Sequence, residues 1–397
     1  MEKPAIFGGK PVRETPLSYG KQCIEQDDID AVVETLKSDY LTCGPKISML
    51  EQKLCEVTGA KYAVAVSNGT AALHIAAMAA GFDPGDEVIV SPITFAASAN
   101  CILYCGAKPV FADIDPATYN IDPDAIEKCI TPNTKGIVAV DFTGQAVDHD
   151  RIGEICQKHG LMFIEDAAHA IGTKYDGKGV GSIADMTCFS FHPVKTVTSG
   201  EGGAVTTNDE DIYQRLLRLR SHGITRNPKY MVHPSDDGWY NEQVELGYNY
   251  RLTDIQAALL LSQLEKLPRF KERRKEIVER YEEAFGDMPE LILQKEHPKS
   301  DTTRHLYVLR LNRDLLTCSR REFFDALHAE NILAQVHYLP VYRHSYYEKL
   351  GYKAGICPNA ERLYEEMVSI PLFYLMSDGD VEDVIAAVKK IVAYYRK

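Results

Sequence analysis

The chain has 397 residues, more than one ordinary core accommodates, which predicts two domains or one large α/β unit. Hydrophobic residues make up 45% of the chain and charged residues 25%, as in folded globular proteins. The net charge of −13 argues against nucleic acid and anionic membranes as partners. The sequence has neither a signal-peptide core nor an apolar run of roughly 18 residues, so we expect a cytoplasmic protein without a membrane partner.

The ten cysteines are scattered along the chain. The only near pair is Cys101 and Cys105, at helical spacing, and no C-x-x-C motif occurs. This distribution predicts reduced thiols in the core rather than a disulfide set or a metal centre.

Residues 1–20 predict an extended N-terminal arm. A helix is predicted next, because Ile29, Val32, Val33 and Leu36 recur at helical spacing.

Short apolar strands then alternate with helical segments such as Thr70–Ala80 and Asp148–Lys158, which predicts repeated β-α units and a mostly parallel sheet covered on both faces. The stretches "MTCFSF" and "GGAVTTND" add two strands, which makes seven in a large domain over residues 21–252. Its ligand should bind beyond the carboxyl ends of the strands. The first five strands are predicted at Tyr62–Val66, Glu87–Ser91, Pro109–Asp113, Gly136–Val140 and Leu161–Asp166.

Residues 253–397 predict a connecting helix and a smaller α/β domain. The helix starts at "TDIQAALLLSQLEKL" with a Thr-x-x-Gln capping box and is predicted to resume after Pro268. Strands are predicted in "HLYVLRL" and "ILAQVHY". The last helix carries its apolar residues on one face, at Val381, Val384, Ile385 and Val388.

The fifth strand ends on two acids, Glu165 and Asp166, followed by His169. A buried carboxylate is costly unless a cation or a hydrogen-bond donor meets it. We therefore expect a positively charged group above the end of this strand.

Lys195 lies between two apolar strands, beside the glycines of "SGEGG". Removal from water lowers the pKa of a lysine and makes its amine nucleophilic. Pyridoxal 5′-phosphate (PLP) needs both a Schiff-base lysine and a carboxylate that faces its ring nitrogen, which would be Lys195 and Asp166. A structural ion pair between the two residues is the alternative.

Two further features favour a phosphate-bearing ring as the ligand. "VSNGTAAL" places Gly69 and Thr70 at a strand-to-helix turn, where free amides and the helix dipole attract a phosphate. Phe95 follows the next strand and could stack on a pyridine ring or simply pack in the core. The combination of phosphate turn, aromatic residue, aspartate and lysine is more specific than any one of them.

At this point the sequence resembles a known family, the DegT/DnrJ/EryC1/StrS sugar aminotransferases. The resemblance runs through "LKSDYLTCGPKISMLEQ", "VSNGTAALHIAA", "EVIVSPITFAASANCI", "FIEDAAHAIGTKY", "FSFHPVKTVTSGEGGAV" and "LGYNYRLTDIQAALLLSQL". It implies the fold-type I PLP-dependent α/β architecture and a homodimer with shared active sites.

The resemblance implies three catalytic residues. Lys195 would carry the cofactor and the proton, Asp166 would pair with the pyridinium, and His169 would lie near the phenolic oxygen. Asn249 would reach the phosphate from the partner subunit. The cofactor contacts implied in this way are Gly69, Thr70, Phe95, Asp166, His169, Ser190, Lys195 and Asn249.

Within the family, "SFHPVK", "RSHG" and "ILAQVHYLPVY" resemble the C4 aminotransferases of pseudaminic acid biosynthesis. These enzymes aminate a UDP-linked 4-keto-6-deoxy-N-acetylhexosamine, with L-glutamate as donor and 2-oxoglutarate as by-product. Asp39 and Tyr40 depart from the expected Lys and Gln. The implied sugar-nucleotide contacts are Tyr19, Asp39, Tyr40, Leu41, Thr42, Gly69, Ser190, Tyr250, Gln335, Val336, His337 and Tyr338.

Two alternatives remain at this stage. One is another aminotransferase of the same group, acting at C3 or C4 of a dTDP- or GDP-linked keto sugar. The other is a PLP-binding sensory protein without catalysis, which the intact Lys195, Asp166 and Asn249 disfavour.

Overall fold

The structure is a computed structural model, and it describes residues 2–235 and 237–397. Short 3₁₀ turns lie at Ala5–Phe7, Phe142–Gly144, Pro228–Tyr230 and Val341–Arg343. The α-helices of the described residues are α1 (Gln26–Leu36), α2 (Pro45–Thr58), α3 (Gly69–Ala79), α4 (Ala97–Tyr104), α5 (Pro123–Cys129), α6 (His149–His159), α7 (Glu210–Arg220), α8 (Asp254–Phe285), α9 (Arg320–Ala329), α10 (Ser345–Lys349), α11 (Pro358–Glu366) and α12 (Asp378–Tyr395).

The strands follow the same chain-order numbering. They are β1 (Tyr62–Val66), β2 (Glu87–Val90), β3 (Lys108–Phe111), β4 (Thr134–Val140), β5 (Met162–Asp166), β6 (Lys174–Tyr175), β7 (Lys178–Gly179), β8 (Met186–Ser190), β9 (Gly203–Thr207), β10 (Ile224–Thr225), β11 (Glu242–Gln243), β12 (Leu291–Leu293), β13 (Ser300–Asp301), β14 (Tyr307–Leu311) and β15 (Met367–Ile370).

A seven-stranded sheet of order β1-β9-β8-β5-β4-β2-β3 forms the centre of the molecule. Strands β3, β2, β4, β5 and β8 run parallel, and β9 is antiparallel to both of its neighbours. The strands are almost continuously apolar and buried, because helices cover both faces of the sheet. The prediction of a large, mostly parallel seven-stranded sheet is therefore confirmed.

Helix α8 connects the sheet to the C-terminal region. Thr253 and Gln256 form the predicted capping box at its start. The predicted interruption at Pro268 is wrong, since the helix runs unbroken through this residue. Leu264, Leu267 and Phe270 are buried around the proline, and their packing outweighs the one backbone hydrogen bond that proline cannot make.

The C-terminal region contains a three-stranded antiparallel sheet of order β12-β14-β15. Helices α9 and α12 and the end of α8 pack on it, and the apolar face predicted for the last helix is buried. The prediction of a strand in "ILAQVHY" is wrong. Ile332 bridges to Leu17 and Gln335 bridges to Ser369, so these two residues pair with different partners and no ladder forms.

Helix α1 forms where it is predicted, but its apolar stripe does not face the core. The side chains of Ile29, Val33 and Leu36 are 47%, 38% and 53% exposed. The buried side of α1 carries Asp28, which contacts Lys266 and Gln263 of α8.

No helix in residues 2–235 and 237–397 is long and apolar enough to span a bilayer.

Candidate active site

A cavity of about 540 Å³ opens at the carboxyl ends of the parallel strands. Asp166 reaches it from the end of β5, Lys195 from the loop after β8, and Gly69 from the start of α3. Tyr338 and His305 reach it from the C-terminal region. The cavity therefore lies where a ligand of a parallel α/β sheet is expected.

Lys195 is held in a compact loop and faces the cavity. Its amide donates to the His192 carbonyl at 2.9 Å, and the loop is closed by a 2.8 Å bond from the Phe191 amide to Gly202. Withdrawal from water lowers the pKa of the Lys195 ammonium from 10.5 to about 8, although Asp166 acts in the opposite direction. About a tenth of this amine is therefore neutral at pH 7, far more than for an exposed lysine.

The low pKa of Lys195 predicts that protonation of this residue lowers the free energy of unfolding of the apoprotein. The cost is fully present below about pH 8 and disappears as the pH rises towards 10.5, since the unfolded chain binds the extra proton over that interval. Lys195→Met should therefore stabilise the apoprotein at neutral pH by about 1–3 kcal/mol, after allowance for water in the cavity. Urea unfolding at several pH values measures this gain, and a gain that does not shrink with rising pH would contradict it.

The Asp166 carboxylate is 5% exposed and accepts two hydrogen bonds. The Ser98 hydroxyl donates to it at 2.6 Å and the Ala168 amide at 3.1 Å. Burial raises the pKa of Asp166, whereas these bonds and the charge of Lys195 lower it. No ion pair within 4.0 Å joins Lys195 to Asp166 in the described part of the chain, which disfavours a purely structural ion pair.

Four histidines border the cavity, and the loss of hydration lowers the pKa of three of them, His169, His305 and His337. The pKa of His169 and of His305 lies well below 6.5, and that of His337 is about 4. His169 Nε2 lies 3.3 Å from the Tyr338 hydroxyl, while His337 Nδ1 contacts the Ser369 hydroxyl at 2.9 Å. All three are therefore neutral at physiological pH and can donate or accept a hydrogen bond.

Sequence reasoning missed two of these neighbours, His305 and Ser98. His305 packs on His169 with ring centroids 4.5 Å apart, but 136 positions separate the two along the chain, and a lone histidine before a strand carries no signal. Ser98 could have been predicted as a site residue, because it lies three residues after Phe95 in "SPITFAASAN".

The turn between β1 and α3 forms a cradle of backbone. Asn68 caps α3 by accepting from the Ala71 amide at 2.8 Å, and the amides of Gly69 and Thr70 precede any intrahelical acceptor. A Cβ on Gly69 would come within 2.9 Å of the Ser190 Cβ. The close approach of this glycine to Ser190 brings amides and a hydroxyl together, which suits a phosphate.

The cavity mouth carries aromatic side chains. Phe95 is 65% exposed and lies 6.4 Å from Tyr338, centroid to centroid, and Tyr19 packs near His337. The predicted residues that line the cavity are Tyr19, Gly69, Thr70, Phe95, Asp166, His169, Ser190, Lys195, His337 and Tyr338.

The remaining predicted contacts lie outside this lining. Asn249 is exposed and bridges to Ser221, and the Tyr250 hydroxyl contacts His74 at 3.1 Å. Gln335 is exposed, and Val336 packs against the core of the large sheet. The segment of Asp39, Tyr40, Leu41 and Thr42 is exposed beside the start of α8.

The sequence profile of the DegT/DnrJ/EryC1/StrS aminotransferase family matches residues 22–389. The chain belongs to this family. Its aminotransferases depend on PLP, and the chain is a PLP-dependent sugar aminotransferase.

Individual relatives agree with this placement. The spore coat polysaccharide biosynthesis protein SpsC of Bacillus subtilis is 45% identical over 378 residues, 95% of this chain and 97% of its own. The UDP-4-amino-4,6-dideoxy-N-acetyl-beta-L-altrosamine transaminase of Campylobacter jejuni is 39% identical over 373 residues, 93% of this chain and 95% of its own. Helicobacter pylori PseC, an aminotransferase involved in the biosynthesis of pseudoaminic acid, superposes with a TM-score of 0.88 at 35% identity over 96% of this chain and 100% of its own.

The residues of the cavity fit PLP. Lys195 supplies an amine of lowered pKa, the cradle of Gly69, Thr70 and Ser190 suits the phosphate, and the buried carboxylate of Asp166 lacks a cation within ion-pair distance. A protonated ring nitrogen would supply that cation. His169 Nδ1, which is buried and has no hydrogen-bond partner among the described residues, offers one more polar contact.

Asp166→Asn tests the pairing with the ring nitrogen. The Ser98 hydroxyl binds Oδ2 of Asp166 and the Ala168 amide binds Oδ1. Asparagine keeps one acceptor oxygen, and its NH2 group can donate to the Ser98 hydroxyl, so the fold should persist, but a neutral amide cannot stabilise a cationic ring. We expect kcat to fall by about 100-fold or more, because a buried charge partner is lost from the reacting group. Steady-state kinetics and cofactor titration measure the effect, with the exposed Asp314→Asn as control. Wild-type kcat and cofactor affinity in Asp166→Asn would contradict the pairing.

Proposed function

We propose that the protein transfers the amino group of L-glutamate to C4 of a UDP-linked 4-keto-6-deoxy-N-acetylhexosamine, for a sugar of the pseudaminic acid type. The observation that carries this proposal is the 39% identity, over nearly the full length, to a transaminase named for a UDP-linked 4-amino-4,6-dideoxy sugar. The likeness to PseC in fold and sequence supports the same substrate class.

When bound, PLP supplies an electron-withdrawing ring and a carbon that takes and returns the amino group. The chain supplies the proton transfer. Lys195 Nζ can be neutral near neutral pH, so it would move a proton from Cα of the donor to the amino-bearing carbon of the cofactor, and in the second half of the cycle from that carbon to C4 of the sugar. Asp166 would accept a hydrogen bond from the protonated ring nitrogen, and the Ser98 hydroxyl and Ala168 amide hold its carboxylate in place.

The neutral histidines orient rather than titrate. His169 is fixed between Tyr338 and His305, so its ring can donate or accept one hydrogen bond without changing charge. The aromatic side chains at the mouth, Phe95 and Tyr19, cover the cavity from above in this proposal. Both substrates enter the same cavity in turn, which predicts ping-pong kinetics.

The charges of the ligands point to a homodimer with shared active sites. A nucleoside diphosphate, a dicarboxylate and the cofactor phosphate all need cations. Among the residues that the structure describes, the cavity lining contains one amine, Lys195, and no guanidinium, and burial keeps His169, His305 and His337 neutral. We infer that a partner subunit supplies the missing contacts, Asn249 among them.

The exposed residues around Asn249 support this assembly. The segment from residue 222 to residue 250 carries large apolar side chains in solvent, with Val232 69% exposed, Trp239 78% and Leu246 70%. The same segment carries Arg226, an exposed cation. Exposed apolar side chains next to a needed cation are typical of a surface that contacts another subunit.

The substrate assignment is tested with a panel of UDP-, dTDP- and GDP-linked keto sugars, L-glutamate and detection of the aminated product. We expect the UDP-linked 4-keto-6-deoxy-N-acetylhexosamine to have the highest kcat/KM, by about 10-fold or more, since each lost nucleobase contact costs about 1–3 kcal/mol. The Lys195→Ala variant is the inactive control for product formation. A dTDP- or GDP-linked sugar, or a 3-keto sugar, with the higher kcat/KM would replace this assignment.

One observation favours a second candidate, another nucleotide-sugar aminotransferase of the same family. SpsC is more similar in sequence, at 45% identity, than the altrosamine transaminase at 39%. The panel separates the two candidates, because they differ in the preferred sugar and not in the catalytic residues.

A further inference from the structure

A cluster of three ionisable side chains lies in the core next to the active site. Asp141 and Glu165 are fully buried, and His149 is 3% exposed. They come from the end of β4, the end of β5 and the start of α6. None of them lines the cofactor cavity, and successive side chains of β5 point to opposite faces, so Glu165 points away from the side of Asp166.

The contacts within the cluster are short. His149 Nε2 lies 2.8 Å from Glu165 Oε1, and the Thr187 hydroxyl donates to Glu165 Oε2 at 2.8 Å. The Val147 amide donates to Asp141 Oδ1 at 3.0 Å. Asp141 Oδ2 has no donor among the residues of 2–235 and 237–397, and one ligand atom from each of the three residues lies within 4.8 Å of the other two.

Two carboxylates this close in a dry core cannot both stay ionised, because each charge raises the cost of the other. Burial, and then the charge of Glu165, raises the pKa of Asp141 well above its usual range. Burial also acts to raise the pKa of Glu165, but the charge and contact of His149 and the Thr187 hydroxyl lower it overall. The proton therefore belongs to Asp141.

A bound metal ion is the alternative interpretation of this cluster of two carboxylates and an imidazole. The direct 2.8 Å contact between His149 Nε2 and Glu165 Oε1 is shorter than the spacing of roughly 3.3–3.6 Å between two ligands of a tetrahedral zinc ion. A structural zinc ion needs ligands about 2.0–2.2 Å from the ion, with four of them in a tetrahedron. The geometry fits a shared proton better than a metal.

We propose that Asp141 is a protonated carboxylic acid that donates its proton to Glu165, and that the Asp141–Glu165–His149 cluster positions Asp166 for the cofactor. The link to Asp166 is short. The Asp141 amide donates to the Asp166 carbonyl at 3.1 Å, and Glu165 is the residue before Asp166 in β5. A single net negative charge on the carboxyl pair also limits repulsion of the Asp166 carboxylate.

The other charged groups near the cluster lie on its outer side. The Tyr175 ring packs on His149 at 5.0 Å, and its hydroxyl donates to Asp148 at 3.2 Å and to Asp150 at 3.1 Å. His297 lies 3.8 Å from Asp148, and Lys299 lies 2.5 Å from Asp150. On the inner side, the charge of Asp166 acts on Asp141 and contributes to its raised pKa.

Infrared spectroscopy of the wild-type holoenzyme tests the protonation directly. We expect a carbonyl-stretch band of a protonated carboxylic acid at neutral pH, which disappears in Asp141→Asn and persists in the exposed control Asp287→Asn. Absence of the band, or its persistence in Asp141→Asn, would overturn the proposal. Metal analysis accompanies this measurement, and a stoichiometric metal that Asp141→Asn loses would overturn it as well.

Thermal unfolding of the same variants over a range of pH gives a second readout. An acid whose pKa is raised by folding makes the native state lose stability as pH rises, since the unfolded chain releases its proton first. Asparagine mimics the protonated acid and lacks this loss. From about pH 5 to about pH 8 the Tm of Asp141→Asn should gain about 2 °C or more relative to wild type. Parallel Tm curves, or a lower Tm for the variant at every pH, would contradict a protonated Asp141.

The positioning role is tested by cofactor binding and by the pH titration of cofactor absorbance. Asp141→Asn should keep the wild-type Kd for PLP and the wild-type titration midpoint. Asp141→Ala should raise the Kd by about 10-fold and shift the midpoint, because the link to Glu165 is lost. A wild-type Kd and midpoint in a folded Asp141→Ala would show that the cluster does not position Asp166. If Asp141→Ala does not fold, a shifted midpoint in Asp141→Asn would overturn the proposal.

Discussion

Lys195→Ala is expected to abolish transamination while leaving the fold intact. The variant loses the amine that carries the cofactor and moves the proton, and general acid/base catalysis alone contributes about 100- to 10,000-fold. We expect kcat to fall by more than about 1000-fold. The fold should survive because Lys195 makes no ion pair within 4.0 Å of Asp166 in the described residues, and burying its charge is unfavourable.

The measurement is single-turnover absorbance of the bound cofactor after addition of L-glutamate, together with product formation. The exposed Lys135→Ala is the matched control, since it removes the same side chain from the surface. Small primary amines added to Lys195→Ala should restore part of the proton transfer if the lost group is the base. Turnover near the wild-type rate in Lys195→Ala would rule out the assigned role.

The sequence predicted the parts of the site that lie in continuous motifs. Asp166 ends β5 and His169 follows three residues later, Lys195 follows β8, and Gly69 opens α3. Each motif therefore combines local geometry with chemistry. His305 was not predictable in this way, because only the docking of the C-terminal region brings it to within 4.5 Å of His169.

The fold was predictable to a similar degree, and its prediction failed for a similar reason. Burial on both faces makes the strands of the parallel sheet readable from apolar runs. The amphipathic pattern of α1 predicted a helix correctly, but its buried side carries Asp28, which pairs with Lys266 in α8. Which side of a helix faces the core depends on its neighbours, and these are not encoded in its own periodicity.

Mixing Lys195→Ala and Asn249→Ala subunits is expected to restore activity that neither variant has alone under limiting cofactor. In a mixed dimer with shared active sites, the pocket of the Asn249→Ala chain keeps its own Lys195 and receives the intact Asn249 of the Lys195→Ala chain. The opposite pocket carries both substitutions. Asn249 lies outside the lining of its own cavity and is exposed, as this arrangement requires. A phosphate needs several convergent donors, so the loss of one should weaken cofactor binding by about 1–3 kcal/mol.

Random exchange in a two-fold dimer makes about half of the dimers mixed, with one whole pocket in each, so about a quarter of the wild-type activity should return. The control is a mixture of Lys195→Ala and Asp166→Asn, whose lesions lie in the same pocket of each chain. In that mixed dimer every pocket carries one lesion, and no activity should return. Native mass spectrometry confirms that exchange has occurred. If mixed dimers form and activity stays absent in the first mixture, Asn249 does not act across the interface, and the partner subunit is not the source of this phosphate contact.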